Sequence, residues 1–146
     1  MNGVDTGSSG AKGVMFTLRA KRDVSIKSFA FYTYNVRNDW ITIYKLRGGG
    51  NYTDPASVWD TDPIYNNYIT YMGQTTLTTL GDFLNPVMIT AGQVQSFYIV
   101  SRNYIMYNTA TGNGEGVTPV SQDGALILYQ GEINAAICAY NLSFKG

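Results

Sequence analysis

Apolar and polar side chains alternate twice within residues 13–34. The first run places Val14, Phe16, Leu18 and Ala20 at every second position, and the second carries Val24, Ile26, Phe29 and Phe31. A two-residue period sends successive side chains to opposite faces, which suits a half-buried β-strand and not a helix. A short charged link, Lys21-Arg22-Asp23, joins the runs, so the chain is expected to open as antiparallel β-structure with Lys21 and Arg22 at a hairpin tip.

The same reading places further strands at 39–46, 68–80, 86–90, 93–101, 104–108, 125–130 and 136–144. Gly48-Gly49-Gly50 stops the third strand, because consecutive glycines favour bends and pack no core. Ala91-Gly92 reads as a tight turn. Two stretches, 51–67 and 109–124, read as long loops, and Trp59 inside the first is expected to fold back over the core. No helical period exceeds two turns, and no repeat of 20–50 residues is present. The expectation is an all-β, antiparallel β-sandwich, jelly-roll-like, with eight to ten strands. Residues 1–12, polar and rich in Gly and Ser, read as a flexible lead-in or linker, and 13–146 as a single domain.

Composition narrows the function classes. Among 146 residues, charged side chains make up 14%, and ten basic groups balance ten acidic ones. About 25% charged is usual. Without a basic excess the chain lacks what nucleic acid binding requires, and little repulsion opposes association between copies. No apolar run reaches the roughly 18 residues of a membrane span. There is no histidine and a single cysteine, Cys138. That excludes an internal disulfide, a Cys/His zinc site and histidine-based nucleophilic catalysis. Cys138 reads as a buried small hydrophobe, or else as a bridge to another copy in an oxidising compartment.

Tyrosine is abundant, at twelve residues beside six Phe and two Trp. Its ring is apolar and its tip polar, which suits sheet surfaces and contact faces. Aromatics gather around the first long loop: Trp40, Tyr52, Trp59, Tyr65 and Tyr68, interleaved with Asn51, Asp54, Asn66 and Asn67. Rings can stack on the apolar face of a sugar while amides bond its hydroxyls, so Trp40, Trp59, Tyr52, Tyr65 and Asn66 form a candidate carbohydrate-binding set. Core filling by the tryptophans is the competing reading.

Asp60-Thr61-Asp62 is the candidate metal site, since two nearby carboxylates can share calcium with backbone carbonyls. An Asp-rich turn has the same look. Asn51-Tyr52-Thr53 and Asn141-Leu142-Ser143 are glycosylation triplets, with Asn51 and Asn141 as acceptors. Gly112-Asn113-Gly114-Glu115-Gly116 lacks the Lys-Ser/Thr ending and following helix of a phosphate loop. Glu115 and Glu132 are the only glutamates, and no carboxylate pair is marked out for glycoside hydrolysis. No enzyme is expected, and no cofactor beyond calcium.

Several segments together carry a resemblance: Gly13-Val14-Met15-Phe16, Asp23 through Phe29, Ile43-Tyr44 before the glycines, Pro86-Val87 with Ile89, Ala91-Gly92 before Phe97-Tyr98-Ile99, and Asn141 with Leu142 and Phe144. In this order they resemble a family of β-sandwich modules from secreted and surface proteins of bacteria and algae, including diatoms. This chain has Thr17 where the family pattern often has Asp, and Ile137-Cys138 where it often has Arg. The resemblance implies an extracellular or cell-surface, non-enzymatic module cut from a longer precursor. The expected function is structural: self-assembly into a surface layer, filament or adhesive through contacts with copies of itself or neighbouring modules. The alternative is a carbohydrate-binding module using loop aromatics, with glycans as partners.

Overall fold

The computed structural model describes residues 10–109, 119–129, 135–137 and 140–145. Cys138 and the Gly112–Gly116 loop lie outside them. Every regular element described is a strand: β1 (Gly10–Ala20), β2 (Val24–Phe31), β3 (Val36–Lys45), β4 (Tyr65–Met72), β5 (Thr78–Thr79), β6 (Val87–Ile89), β7 (Val94–Thr109), β8 (Pro119–Gln122), β9 (Leu126–Tyr129), β10 (Ala135–Ile137) and β11 (Tyr140–Lys145). The larger sheet runs β4-β3-β7-β1-β9-β8, with β10 paired to β7, and the smaller runs β11-β2-β5, with β6 paired to β2. All the strand pairings are antiparallel. The protein is an antiparallel β-sandwich.

The alternation at 13–34 does set the core. Phe16, Leu18, Ile26, Phe29 and Phe31 are buried, as are Ile41, Ile43, Phe97 and Ile99 from β3 and β7. Phe29 of the smaller sheet meets Phe16 at 5.5 Å, Phe97 at 5.1 Å and Phe83 at 5.5 Å, each edge to face. Phe16 and Phe97 stack within the larger sheet at 5.6 Å. Edge-to-face rings at these spacings let the positive rim of one meet the negative face of the next.

Several expectations need correction, among them the strand at 68–80, which is divided between β4 of the larger sheet and β5 of the smaller. The 21–23 link is not a hairpin tip: β1 pairs with β7 and β9, whereas β2 pairs with β11, β5 and β6. The link is an arch between sheets. Both runs bury aromatic rings toward each other, and strands facing across a core cannot also be bonded side by side. The arch is tied down by Lys21 N–H to the Ala125 carbonyl at 2.7 Å and by Asp23, which accepts the Ala91 N–H at 2.8 Å. The segments 93–101 and 104–108 form one strand. Between the Ala11–Ile105 and Gly13–Val100 pairs, β1 contributes one residue and β7 four, a bulge over Ser101–Tyr104. The last expected strand is two, β10 on the larger sheet and β11 on the smaller. The first strand also begins at Gly10, inside the segment read as linker.

The bulge is held by buried polar groups. Ser101 Oγ accepts the Asn103 N–H at 3.0 Å, and the Asn103 amide donates to the Asn35 carbonyl at 2.6 Å. Tyr71, fully buried, donates its hydroxyl to the Trp40 carbonyl at 2.7 Å and accepts from the Arg102 N–H at 3.4 Å. Burial pushes the Tyr71 phenol above its ordinary pKa, against the pull of the Ser101 and Arg102 hydrogen bonds, so it stays a donor at neutral pH.

Removing either anchor has a stated size. Phe29→Ala is expected to destabilise by about 3–5 kcal/mol, the range for emptying a buried aromatic site. Tyr71→Phe is expected to cost about 1–3 kcal/mol by leaving buried backbone groups unpaired. Urea denaturation at neutral pH measures both, and a loss below 0.5 kcal/mol (roughly the surface-mutation range) in either variant contradicts the assignment.

Candidate functional site

The outer face of the larger sheet carries the aromatic side chains, and strand register arranges them in rows. Tyr68 of β4 is paired with Trp40 of β3, and the β3–β7 register ends at the Ile41–Ser101 pair, next to which Trp40 and Arg102 line one depression. The next row is Asn66–Thr42–Val100–Gly13. Beyond it comes Tyr44–Tyr98–Met15. Rows two residues apart are about 6.8 Å apart, so Trp40 and Tyr44 stand roughly 13 Å apart along β3.

The middle row is low. Thr42 and Val100 are short, Gly13 has no side chain, and a Cβ at Gly13 would meet the Tyr98 ring at 3.3 Å. A depression of about 380 Å³ results, lined by Trp40, Thr42, Asn66, Val100 and Arg102. Trp40 is 48% exposed and Tyr68 60%, and their rings meet edge to face at 5.9 Å. Thr42 donates to the Asn66 side-chain carbonyl at 3.0 Å, a bond that does not use the Asn66 amide nitrogen.

A second group of rings lies on the same face. Tyr44, Tyr98, Trp59 and Tyr52 follow one another with centroids 6.4, 5.6 and 6.2 Å apart. Trp59 therefore covers the outside of the larger sheet and not the core, a correction to the lid expected above. Its strand-like bridge to Leu46 explains this position. The chain leaves β3 through Gly48, Gly49 and Gly50, with φ of 73°, 80° and 97°, a run of left-handed conformations that only glycine adopts without strain. It then crosses the outer face and returns beside Leu46. Beneath it Thr17 and Ser96, both buried, share a 2.7 Å hydroxyl contact, and Ser96 Oγ also accepts the Tyr52 N–H at 2.9 Å and donates to the Gly50 carbonyl at 3.0 Å.

The expected carbohydrate residues thus separate. Trp40 and Asn66 share the depression, whereas Trp59 and Tyr52 are half-buried in the loop that crosses the sheet. Tyr65 is in the core, 8% exposed, against Phe83 at 6.0 Å, with its hydroxyl accepting the Gly81 N–H. Its position in β4 has the inward parity, shared with Tyr71. Thr42 and Arg102 were absent from the expected set: Thr42 shares the face of Trp40 two residues along β3, and Arg102 joins from β7 through strand pairing, which a sequence does not display.

Asp60 and Asp62 line a cavity of about 630 Å³ at one end of the sandwich, between the Gly48–Gly50 turn, β6 and the start of β7. The Asp60 carboxylate is held by Lys45 Nζ at 2.9 Å and Arg47 Nε at 3.2 Å. Among the described residues no group of three or more His, Cys, Asp or Glu side chains is placed to hold a metal ion. Asp54 caps the Ala56 N–H, and Asp82 pairs with Lys27 at 3.7 Å. The Asn51 side-chain oxygen accepts the N–H and hydroxyl of Thr53, at 3.0 and 2.8 Å. Asn141 lies in β11 opposite Ala30.

The hydrogen bond from Lys45 chiefly lowers the Asp60 pKa; desolvation opposes it and Arg47 adds to it. The folded protein therefore holds the Asp60 proton less tightly than the unfolded chain. The resulting stabilisation is fully present above the ordinary carboxylate pKa of about 3.9 and fades as pH falls through the lower folded value. Asp60→Asn is expected to flatten that part of the acid limb in a melting-temperature series from pH 6 to pH 2. An unchanged acid limb contradicts the pairing.

The chain matches no protein-family model and no curated protein sequence.

Proposed function

We infer that this protein is a non-enzymatic extracellular or cell-surface module that works by contact, assembling with copies of itself or with neighbouring modules. The observation that carries the reading is the edge of the larger sheet. β4, Tyr-Asn-Asn-Tyr-Ile-Thr-Tyr-Met, pairs with β3 through eight consecutive residues without a register shift, and among the described residues it has no strand on its other side. It carries no charge, no proline and no glycine. Soluble β-proteins commonly blunt their edges with lysine, proline, bulges or very short strands. Among the other described edges, β8 begins with Pro119, β5, β6 and β10 are two or three residues long, and β11 carries a register shift and ends in Lys145. β4 is the long, uncharged one among these, covered at its end where the Met72 N–H donates to the Thr78 hydroxyl at 2.9 Å. Two copies meeting at β4 around a two-fold axis would satisfy their free backbone groups with each other. A balanced charge of ten against ten leaves little repulsion to prevent it. The resemblance to jelly-roll-like surface modules supports the same reading.

A lysine on an edge strand costs little in the monomer and must be desolvated in a paired sheet. The double variant Asn67→Lys with Met72→Lys changes two exposed β4 positions outside the depression. Sedimentation velocity is expected to show concentration-dependent association of the parent protein and a monomeric variant with unchanged melting temperature. A parent protein that stays monomeric at the highest attainable concentration sinks the reading.

A second reading has its own support. Trp40 is exposed beside Asn66 in an open depression, the disposition a carbohydrate-binding module needs. Both readings concern one surface region, and neither requires the absence of the other.

A further inference from the structure

We propose that the depression between Trp40 and Arg102 binds a uronic acid residue of an acidic polysaccharide. The proposal rests on the carbohydrate-binding reading and adds the charge of the sugar. The lining of the depression offers an aromatic wall and donors: the Trp40 ring, the amide nitrogen of Asn66, which the Thr42 bond does not use, and the Arg102 guanidinium. No Asp or Glu lines it. A neutral sugar can use the Thr42 and Asn66 oxygens for its hydroxyls, but it gives the guanidinium only uncharged acceptors. A carboxylate-bearing pyranose instead presents an apolar C–H face to an aromatic ring and a planar acceptor to a guanidinium, which takes carboxylates through two parallel bonds.

Arg102 has the anchorage of a built contact. Its N–H donates to the Tyr71 hydroxyl at 3.4 Å, and its carbonyl accepts from the Arg37 guanidinium. The same Tyr71 hydroxyl donates to the Trp40 carbonyl at 2.7 Å. One buried phenol thus fixes the backbone under both walls. Arg37 is itself engaged with Asp39 at 3.2 Å, and among the described residues the Arg102 side chain has no ion pair. Within the described lining Arg102 is the one charged side chain, and it fits one carboxylate per sugar. A densely sulfated chain is held by clusters of cations, and the described lining of the depression holds one.

Affinity electrophoresis through gels containing polygalacturonate, neutral dextran or dextran sulfate tests this, with the full chain and its Arg102→Gln, Arg102→Lys and Trp40→Ala variants. Circular dichroism confirms that each variant is folded. Polygalacturonate is expected to retard the parent protein. Arg102→Gln and Trp40→Ala should each weaken that retardation at least tenfold, and Arg102→Lys should restore only part of it. Retardation by dextran that depends on Trp40 and not on Arg102 overturns the acidic-sugar assignment while keeping the carbohydrate reading. Stronger retardation by dextran sulfate than by polygalacturonate overturns the choice of carboxylate. No retardation in any gel removes both.

Discussion

Four phenylalanine rings decide how the two sheets face one another. Phe16 and Phe97 stand on adjacent strands of the larger sheet, and Phe29 of the smaller sheet presses its edge against both. Phe83 closes the far side of Phe29. The contact couples segments far apart in the chain, and burying such rings removes a large apolar area from water. It fixes which side of β1, β2 and β7 points inward. Once that is settled, strict alternation dictates what appears outside: Thr42 and Tyr44 from β3, Tyr98 and Val100 from β7, Gly13 and Met15 from β1. The outer surface is the complement of the core, residue by residue.

The coupling between core and surface is most direct at Tyr71. Its ring belongs to the hydrophobic interior, and its hydroxyl reaches the backbone of Trp40 and Arg102. Sheet faces are ordinarily rigid because the ladder is rigid. Here the ladder is interrupted by the Ser101–Tyr104 bulge, and the polar contacts of Tyr71, Ser101, Asn103 and Asn35 replace the missing rungs. An irregular stretch is thereby held as firmly as a regular one, which is what positions an arginine beside a tryptophan on an adjacent strand. Bulges concentrate where a side chain must be re-aimed.

What could be read from the residues alone follows the same division. Alternation at 13–34 identified the buried faces correctly, because period two is a local property of the chain. It said nothing about which strand lies beside which, and the arch at Lys21-Arg22-Asp23 was therefore read as a hairpin. The bulge residues Arg102 and Asn103 resembled a break between strands, although buried side-chain hydrogen bonds carry β7 through them. β8 lay in a stretch whose glycines suggested loop. In the depression, Trp40 and Asn66 were legible by residue type. Tyr65 was read with them because proximity in sequence was weighed above parity: it alternates with Asn66 and so points the other way. Trp59 was expected over the core, and only the bridge to Leu46 puts it outside. Arg102 could not have been found, since nothing in the order of residues records the β3–β7 register.

The place of β1 within its sheet has a bearing on how the chain is made. Its neighbours on either side are β7 and β9, so Thr17 waits for Ser96, 79 residues later, and Ala20 for Leu126. During synthesis the first strand to emerge is thus among the last to be completed. Folds dominated by such distant pairings form slowly. Both hydrogen-bonding margins of this apolar ribbon stay open until β7 arrives and one of them until β9, and such ribbons invite mispairing between nascent chains.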